Sequence, residues 1–90
     1  MNKETLKETR DLLYKYTSRA GEEQIETSLT KDEAGRLDLV CERKRGGESE
    51  SVRLTDLGRR EEDCLLFART VADSHTYPRI LPELWEEFAR

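Results

Sequence analysis

The sequence predicts an α+β fold in which a four-stranded antiparallel β-meander is followed by one amphipathic helix and a short C-terminal helix. Three observations lead to this prediction. Between residues 10 and 54 apolar residues tend to alternate with polar ones, which is the period of a half-buried strand. After residue 54 the apolar residues recur at spacings of three and four, which is the period of a helix. Two prolines, Pro78 and Pro82, then separate this helix from a second, shorter one.

Length and composition indicate one small folded domain. A chain of 90 residues buries only a thin core, so a deep, walled active site is not expected. Charged residues make up 40% of the chain and apolar residues 34%, a composition toward the disordered side, but the apolar residues fall in periodic runs. We therefore expect a single domain over residues 1–90, with residues 1–9 frayed.

Four short strands joined by tight turns account for the first half of the chain. Alternation places the apolar residues of each strand on one face, namely Leu12, Tyr14 and Tyr16, then Ile25 and Leu29, then Leu37, Leu39 and Cys41, then Val52 and Leu54. The connections contain Gly21, Gly35 and Gly46-Gly47, which tolerate the positive φ angles of tight turns. Because each connection is too short for a parallel crossover, we expect antiparallel strands.

The first segment admits two interpretations. Residues 3–18 also fit a loose helical stripe, whose members are Leu6, Leu13 and Tyr16. We favour a strand, because two β-favouring tyrosines flank a lysine in this segment.

The main helix is predicted within a helix-forming run from residue 57 to residue 74. Its apolar stripe, at spacings of three and four, consists of Cys64, Phe67, Ala68, Val71 and His75. Thr55 or Asp56 is the expected N-cap. His75 is expected on the last turn, where an imidazole faces the negative end of the helix dipole. Pro78 is expected to end the helix, because the residue before a proline is disfavoured in the helical conformation.

The short C-terminal helix is predicted to begin near Pro82, which suits a first helical turn. Its apolar stripe is formed by Leu81, Leu84, Trp85 and Phe88. As core, these residues cover one end of the sheet and add aromatic burial to a small domain. As an interface, they anchor a protein partner or a second copy of the chain. Both interpretations stay open, and the four residues are our candidate partner-binding set.

The basic residues form a second candidate site. The chain has 16 basic and 20 acidic residues, closely mixed along the sequence, and this mixture counts against nonspecific nucleic-acid binding. The candidate phosphate-binding residues, at and around one hairpin, are Arg36, Arg43, Lys44, Arg45 and Arg53. An outward-facing Tyr14 or Tyr16 would add a surface on which a base can stack. The same hairpin carries carboxylates that oppose such a ligand, namely Asp38, Glu42, Glu48 and Glu50.

The sequence predicts no catalytic residue, no cofactor and no metal site. His75 is the only histidine, and no serine or cysteine nucleophile motif accompanies it. Neighbouring carboxylates such as Glu86 and Glu87 point in different directions on a helix and do not converge on one ion. The glycines at 46 and 47 lack the Lys-Ser/Thr pair of a phosphate-binding loop. An enzyme would need a pocket that groups His75 with Cys64 or with an acid.

The cysteines and the first residues bear on the compartment. Cys41 and Cys64 lie among apolar residues without CxxC spacing, so we expect buried, reduced thiols. The first ten residues, MNKETLKETR, contain no apolar signal region, and no run in the chain reaches the roughly 20 apolar residues of a membrane span. These observations predict a cytoplasmic protein.

The order of the elements and the closing segment 77–88, YPRILPELWEEF, resemble a family of short, uncharacterised proteins of Firmicutes bacteria. In that family a hairpin-rich first half precedes a helix and a closing motif of proline, leucine, apolar and acidic residues. The resemblance covers mainly the C-terminal half: Pro78, Leu81 and Phe88 fit the motif, whereas Pro82 and Trp85 depart from it. It implies the same coarse fold in a bacterial cytoplasm, and it implies no activity, because the family is one of unknown function.

The hypothesis for function is therefore a small non-enzymatic domain that acts through protein contacts, as a homodimer or as an accessory subunit. It depends on the aromatic, amphipathic C-terminal segment in a chain that lacks recognisable catalytic residues. The alternative is weak binding of nucleic acid or of a phosphate ligand by the basic hairpin around residues 43–45.

Overall fold

The fold is a two-layer α+β arrangement, seen in a computed structural model that describes residues 10–90. The elements are β1 (Arg10–Ala20), β2 (Glu23–Asp32), β3 (Leu37–Arg45), β4 (Glu48–Leu54), α1 (Glu61–Asp73), a 3-10 turn (Pro78–Ile80) and α2 (Leu81–Phe88). The strands form one antiparallel sheet in the order β1-β2-β3-β4. The predicted fold class is confirmed, and residues 10–18 are strand, not helix. The expectation of frayed residues 1–9 lies outside the described residues.

One face of the sheet packs against the helices and carries the predicted alternation. In β2 and β3 the directly opposed pair Leu29 and Leu39 is fully buried, and Thr27 opposite Cys41 extends the same row. Residues directly opposite one another on antiparallel strands share a face, so these pairs stack into a continuous apolar layer. The prediction of core-facing residues is confirmed for β2 and β3. The residues concerned are Ile25, Leu29, Leu37, Leu39 and Cys41.

The prediction for β1 was wrong at Leu12. The register with β2 shifts between Leu12 and Tyr14, so that the strand accommodates one extra residue as a β-bulge. Leu12 lies opposite Thr30 and points away from the helices with 57% of its surface exposed. Tyr14, beyond the bulge, lies opposite Leu29 and packs against the core. Strict alternation across the bulge therefore assigned Leu12 to the wrong face.

Helix α1 begins later than the sequence predicts. Asp56 and Gly58 have φ angles of 50° and 71°, a left-handed conformation that cannot belong to an α-helix. Between them, Leu57 is drawn against the sheet, where its backbone N–H donates to the Leu37 carbonyl at 2.9 Å. The N-cap is consequently Arg60, which makes no side-chain capping hydrogen bond, and the prediction of Thr55 or Asp56 as cap was wrong.

The end of α1 also differs from the prediction, because the helix stops at Asp73 and His75 lies beyond it. The His75 N–H donates to the Ala72 carbonyl at 3.2 Å, and the Thr76 N–H donates to the Val71 carbonyl at 3.1 Å. These two bonds form a Schellman motif with His75 at the left-handed C′ position, φ 52°. The helix is therefore ended by this motif rather than by Pro78, which instead starts the 3-10 turn.

Both cysteines are free and buried, as the sequence predicts. Burial raises the pKa of the Cys41 and Cys64 thiols above the ordinary value, so both are protonated at neutral pH. We expect neither thiol to react with a disulfide reagent such as DTNB within minutes when the domain is folded. Both should react at once in guanidinium chloride, which serves as the control. Rapid reaction of the folded domain would contradict the burial of these thiols.

Candidate functional site

An apolar groove is bounded by α1, by α2 and by the segment that connects them. We call it the helix groove; it has a volume of about 490 Å³ and is lined by Phe67, Thr70, Val71, Ser74, Thr76, Leu84, Glu87 and Phe88. Its apolar surface comes from α1 and α2 together, while hydroxyl groups and one carboxylate stand at its borders. The groove is therefore suited to apolar side chains of a ligand or a partner.

Aromatic packing forms one wall of the helix groove. The ring of Phe67 lies 5.0 Å from that of Trp85 in an edge-to-face arrangement and 5.1 Å from that of Phe88. Trp85 and Phe88 stack on one another at 5.7 Å. These separations are those of favourable aromatic pairs, so the α2 stripe is attached to the core through Phe67.

The candidate partner-binding set divides between core and surface. Leu81 is fully buried and offers no surface to a partner. Leu84, Trp85 and Phe88 are only partly buried, and two of them, Leu84 and Phe88, line the helix groove. The α2 stripe thus contacts the core with one side and borders the groove with the other, and its role as an interface stays a prediction.

The helical layer is strongly acidic. Helix α1 contains four acidic residues and one basic residue, and α2 contains three acidic residues and no basic one. The two helices together therefore carry a formal charge of −6, compared with −4 for the whole chain. Glu87 projects this charge into the lining of the helix groove.

The candidate phosphate-binding residues do not converge. Arg36 binds Asp32 at 2.9 Å at one end of β3, and Arg53 binds Asp38 at 3.0 Å. Arg43 points under the helical layer, where its side chain is 15% exposed and binds two carboxylates. Within residues 10–90, Lys44 and Arg45 at the β3–β4 turn are the members of the set without an ion pair.

A polar cluster lies on the helix-facing side of the sheet, next to the C-terminal end of α1. We call it the Glu23 cluster, and its members are Ser18, Glu23, Arg43, His75 and Tyr77. Both carboxylate oxygens of buried Glu23 accept hydrogen bonds: Oε1 from His75 Nε2 at 2.9 Å and Oε2 from Arg43 Nε at 2.5 Å. The Tyr77 hydroxyl reaches both oxygens at 3.0 and 3.1 Å, and the guanidinium of Arg43 lies 4.7 Å from the centre of the Tyr77 ring.

The hydrogen bonds of the Glu23 cluster keep the Glu23 carboxylate ionised. The pKa of Glu23 is lowered to about 2, chiefly by the hydrogen bond from His75 and next by that from Arg43. An ionised carboxylate only accepts, so His75 Nε2 carries a proton and donates a hydrogen bond to Glu23, while Nδ1 and Ser18 Oγ share a hydrogen bond of 2.6 Å. A serine nucleophile, its histidine base and a carboxylate follow one another in the same order in catalytic triads. In those triads the serine binds Nε2 and the carboxylate binds Nδ1, whereas in the Glu23 cluster the two ring nitrogens are exchanged. Ser18 and His75 do not line the helix groove, and they do not line the polar cavity bounded by Arg10, Asp32, Arg36, Asp38, Thr55 and Asp56.

Sequence reasoning missed the Glu23 cluster because its members are far apart in the chain. A signal was present: Glu23 precedes Ile25, Thr27 and Leu29 at the spacing of two that places it on the core face of β2. A charged residue at a core-facing position needs a partner there. Its partner Arg43 occupies the corresponding face of β3, opposite Ile25.

His75 provides a test of how the Glu23 cluster stabilises the fold. Its left-handed backbone conformation is unfavourable for any residue except glycine, and the imidazole contacts offset that cost. His75→Ala loses the ring and keeps the strain, whereas His75→Gly loses the ring and relieves it. We expect the alanine variant to have a free energy of unfolding about 1 kcal/mol lower than the glycine variant. Urea unfolding followed by Trp85 fluorescence measures both, and equal values would show that position 75 is not strained.

Comparisons with protein-family models, with curated proteins and with solved structures found no match. The resemblance to the Firmicutes proteins therefore stays a prediction. Across residues 10–90, no group of three or more acidic, histidine or cysteine side chains is arranged to hold a metal ion. In the same part of the chain, no helix is long and apolar enough to cross a membrane.

Proposed function

We propose that this chain is a non-enzymatic protein-interaction domain and that the helix groove receives a segment of a partner protein. The observation that carries this proposal is the apolar groove between α1 and α2, bordered by the partly buried side chains of Leu84 and Phe88. Apolar surface left accessible in a small soluble domain is typical of an interaction site, and aromatic residues are enriched at the centres of such sites.

The charge of the helical layer favours a different protein over a second copy of the chain. In a symmetric dimer each subunit uses the same patch, so a dimer through the helix groove would bring the Glu87 carboxylates of the two copies, and the acidic helices that carry them, together. Like charges in an interface oppose association. We therefore place the domain as an accessory subunit of another protein, in the bacterial cytoplasm that the sequence predicts.

Site-specific photo-cross-linking in the native host tests the proposal. A benzoylphenylalanine at position 66, which is 56% exposed on α1, should give a discrete covalent adduct with one partner. Filling the groove with Thr70→Tyr should abolish the adduct, because Thr70 lines the groove. The matched variant Ser51→Tyr, at an exposed position of β4 away from the groove, should leave it intact. An adduct that persists in the Thr70→Tyr variant would place the contact elsewhere.

The alternative of a nucleic-acid or phosphate site has less support. Arg36, Arg43 and Arg53 form ion pairs with carboxylates. Of the candidate phosphate-binding residues, Lys44 and Arg45 therefore remain available to a phosphate. Two exposed cations give only a weak, salt-sensitive attraction for phosphates. Binding of a labelled oligonucleotide at low salt that disappears when both residues are changed to Ser would restore this alternative.

The Ser18–His75–Glu23 hydrogen-bond chain supports a second candidate function, acyl transfer through Ser18. Ser18 Oγ would attack an ester carbonyl as its proton passes to His75 Nδ1, and that proton would then go to the departing alcohol. Water would then attack the acyl carbon and pass a proton to Nδ1, and Ser18 Oγ would leave and take that proton back. This candidate ranks second because Arg43 and Tyr77 bind the same carboxylate and give the cluster a structural role.

A fluorophosphonate probe distinguishes the two roles of Ser18. If the serine is nucleophilic, the probe should label the folded domain and fail to label the Ser18→Ala variant. The unfolded domain is the control for nonspecific labelling. Absence of labelling, or equal labelling of the Ser18→Ala variant, would leave the cluster with its structural role only.

A further inference from the structure

We propose that the partner segment is a basic amphipathic helix whose apolar side chains enter the helix groove and whose Lys and Arg side chains face its acidic borders. This inference rests on the proposed function and names the chemistry of the partner. It follows from two independent properties of the site: what lines the groove, and what surrounds it.

The lining calls for apolar side chains rather than buried hydrogen bonds. Within residues 10–90 every buried side-chain nitrogen or oxygen already has a hydrogen-bond partner. The Thr70 hydroxyl, for example, donates to the Leu66 carbonyl at 2.8 Å within α1. The buried polar atoms therefore need no partner from the ligand, and apart from the exposed Glu87 carboxylate, apolar burial is the main gain on binding. A channel between two helices suits the apolar face of a third helix.

The surroundings call for positive charge. Glu87 lines the groove, and Glu83 lies one turn earlier on the same face of α2. On α1, Asp63 lies one turn before Phe67, and its nearest cation, Arg60, is 3.9 Å away and largely exposed. A partner that brings lysines or arginines to these carboxylates gains attraction, whereas nucleic acid and anionic lipid surfaces are repelled.

Two synthetic 18-residue peptides test the inference. Both carry Leu at helical spacings of three and four on one face; the first has Lys at the remaining positions and the second has Glu. We expect the Lys peptide to bind the domain at least about tenfold more tightly than the Glu peptide at low salt. Its affinity should fall as salt is raised, because exposed charges are screened. Fluorescence anisotropy of labelled peptides measures these affinities, and failure of the Lys peptide to bind would overturn the inference.

Three variants separate groove binding from general attraction to an acidic protein. Thr70→Tyr should abolish binding of the Lys peptide by filling the groove. Glu87→Lys should weaken it about threefold to tenfold, and Glu33→Lys, the same charge change in the β2–β3 turn, should have a smaller effect. Equal effects of the two charge reversals would overturn the inference by showing nonspecific attraction. Trp85 fluorescence confirms that each variant is folded.

Different results would contradict the basic partner and the groove as the binding site. If the Glu peptide binds as tightly as the Lys peptide and Thr70→Tyr abolishes both, the groove is a binding site and the basic partner is wrong. If Thr70→Tyr has no effect on a peptide that binds, the groove is not the site and the proposed function loses its support as well.

Discussion

Replacing Glu23 by Gln is expected to lower the melting temperature of the domain by on the order of 10 °C. The substitution removes one of the two negative charges that bind Arg43, whose side chain is 15% exposed, and it places an amide N–H₂ beside a guanidinium that can only donate. Glu50 stays at 3.0 Å from Arg43, but a poorly hydrated cation that loses the more buried of its two carboxylates is strongly destabilised. Thermal unfolding followed by circular dichroism at pH 7 measures the change.

The same variant has a specific pH dependence. The pKa of Glu23 is about 2 in the folded domain and 4.5 in its ordinary, unfolded environment. Its ionisation therefore contributes stability that is complete above about pH 4.5 and is lost as the pH falls from 4.5 toward 2. The wild type should lose stability over this interval more steeply than Glu23→Gln. The pKa of Asp32 is also lowered, chiefly by a hydrogen bond from the Arg36 backbone. Protonation of Asp32 at acid pH therefore lowers the stability of the wild type and of the variant alike.

Glu26→Gln is the matched control for Glu23→Gln. Glu26 occupies the same strand but points to the opposite face, where its contact with the exposed Lys15 is 3.6 Å long. Such a surface pair contributes little to stability. A melting temperature equally reduced in both variants, or unchanged in Glu23→Gln, would contradict the structural role of the Glu23 cluster.

Phe67→Ala is expected to lower the free energy of unfolding by about 3–5 kcal/mol. Phe67 is 3% exposed and contacts the rings of both Trp85 and Phe88, so its loss leaves a cavity beneath α2. Since Trp85 is the only tryptophan, the Trp emission of the folded variant should also move toward that of an exposed indole. Urea unfolding with fluorescence detection records both effects.

Leu66→Ala, one residue away on the exposed side of α1, is the control for Phe67→Ala. Its side chain is 56% exposed, so we expect a change within about 0.5 kcal/mol. If Phe67→Ala were as mild as Leu66→Ala, then α2 would not be attached to the core through the aromatic contacts described above.

The fold was largely predictable because most of it follows local periodicity. The core faces of β2 and β3 and the stripe of α1 each repeat over several residues, so a pattern of apolar positions identifies them. The errors fall where a single residue interrupts the pattern. The bulge near Leu13 inverts the alternation of β1, and the left-handed Asp56 delays the start of α1.

The candidate site was predictable only in part. The α2 stripe was identified from its spacing, yet the sequence left open which of its members face the core, because this depends on the packing of α2 against Phe67. The Glu23 cluster joins residues up to 57 positions apart, and its contacts depend on strand register and on the Schellman motif. Spacing within one element carries no information on such contacts.

The position of His75 and Tyr77 has a consequence for the dimensions of the helix groove. Both residues lie in the connection between α1 and α2, and both bind Glu23 in the sheet. An eight-residue helix such as α2 is not stable in isolation, so its placement depends on this attachment and on the aromatic contacts to α1. The two walls of the groove are therefore set at a fixed separation in the free domain. The proposed partner segment would therefore meet a preorganised surface, and its affinity would not be reduced by the cost of ordering α2.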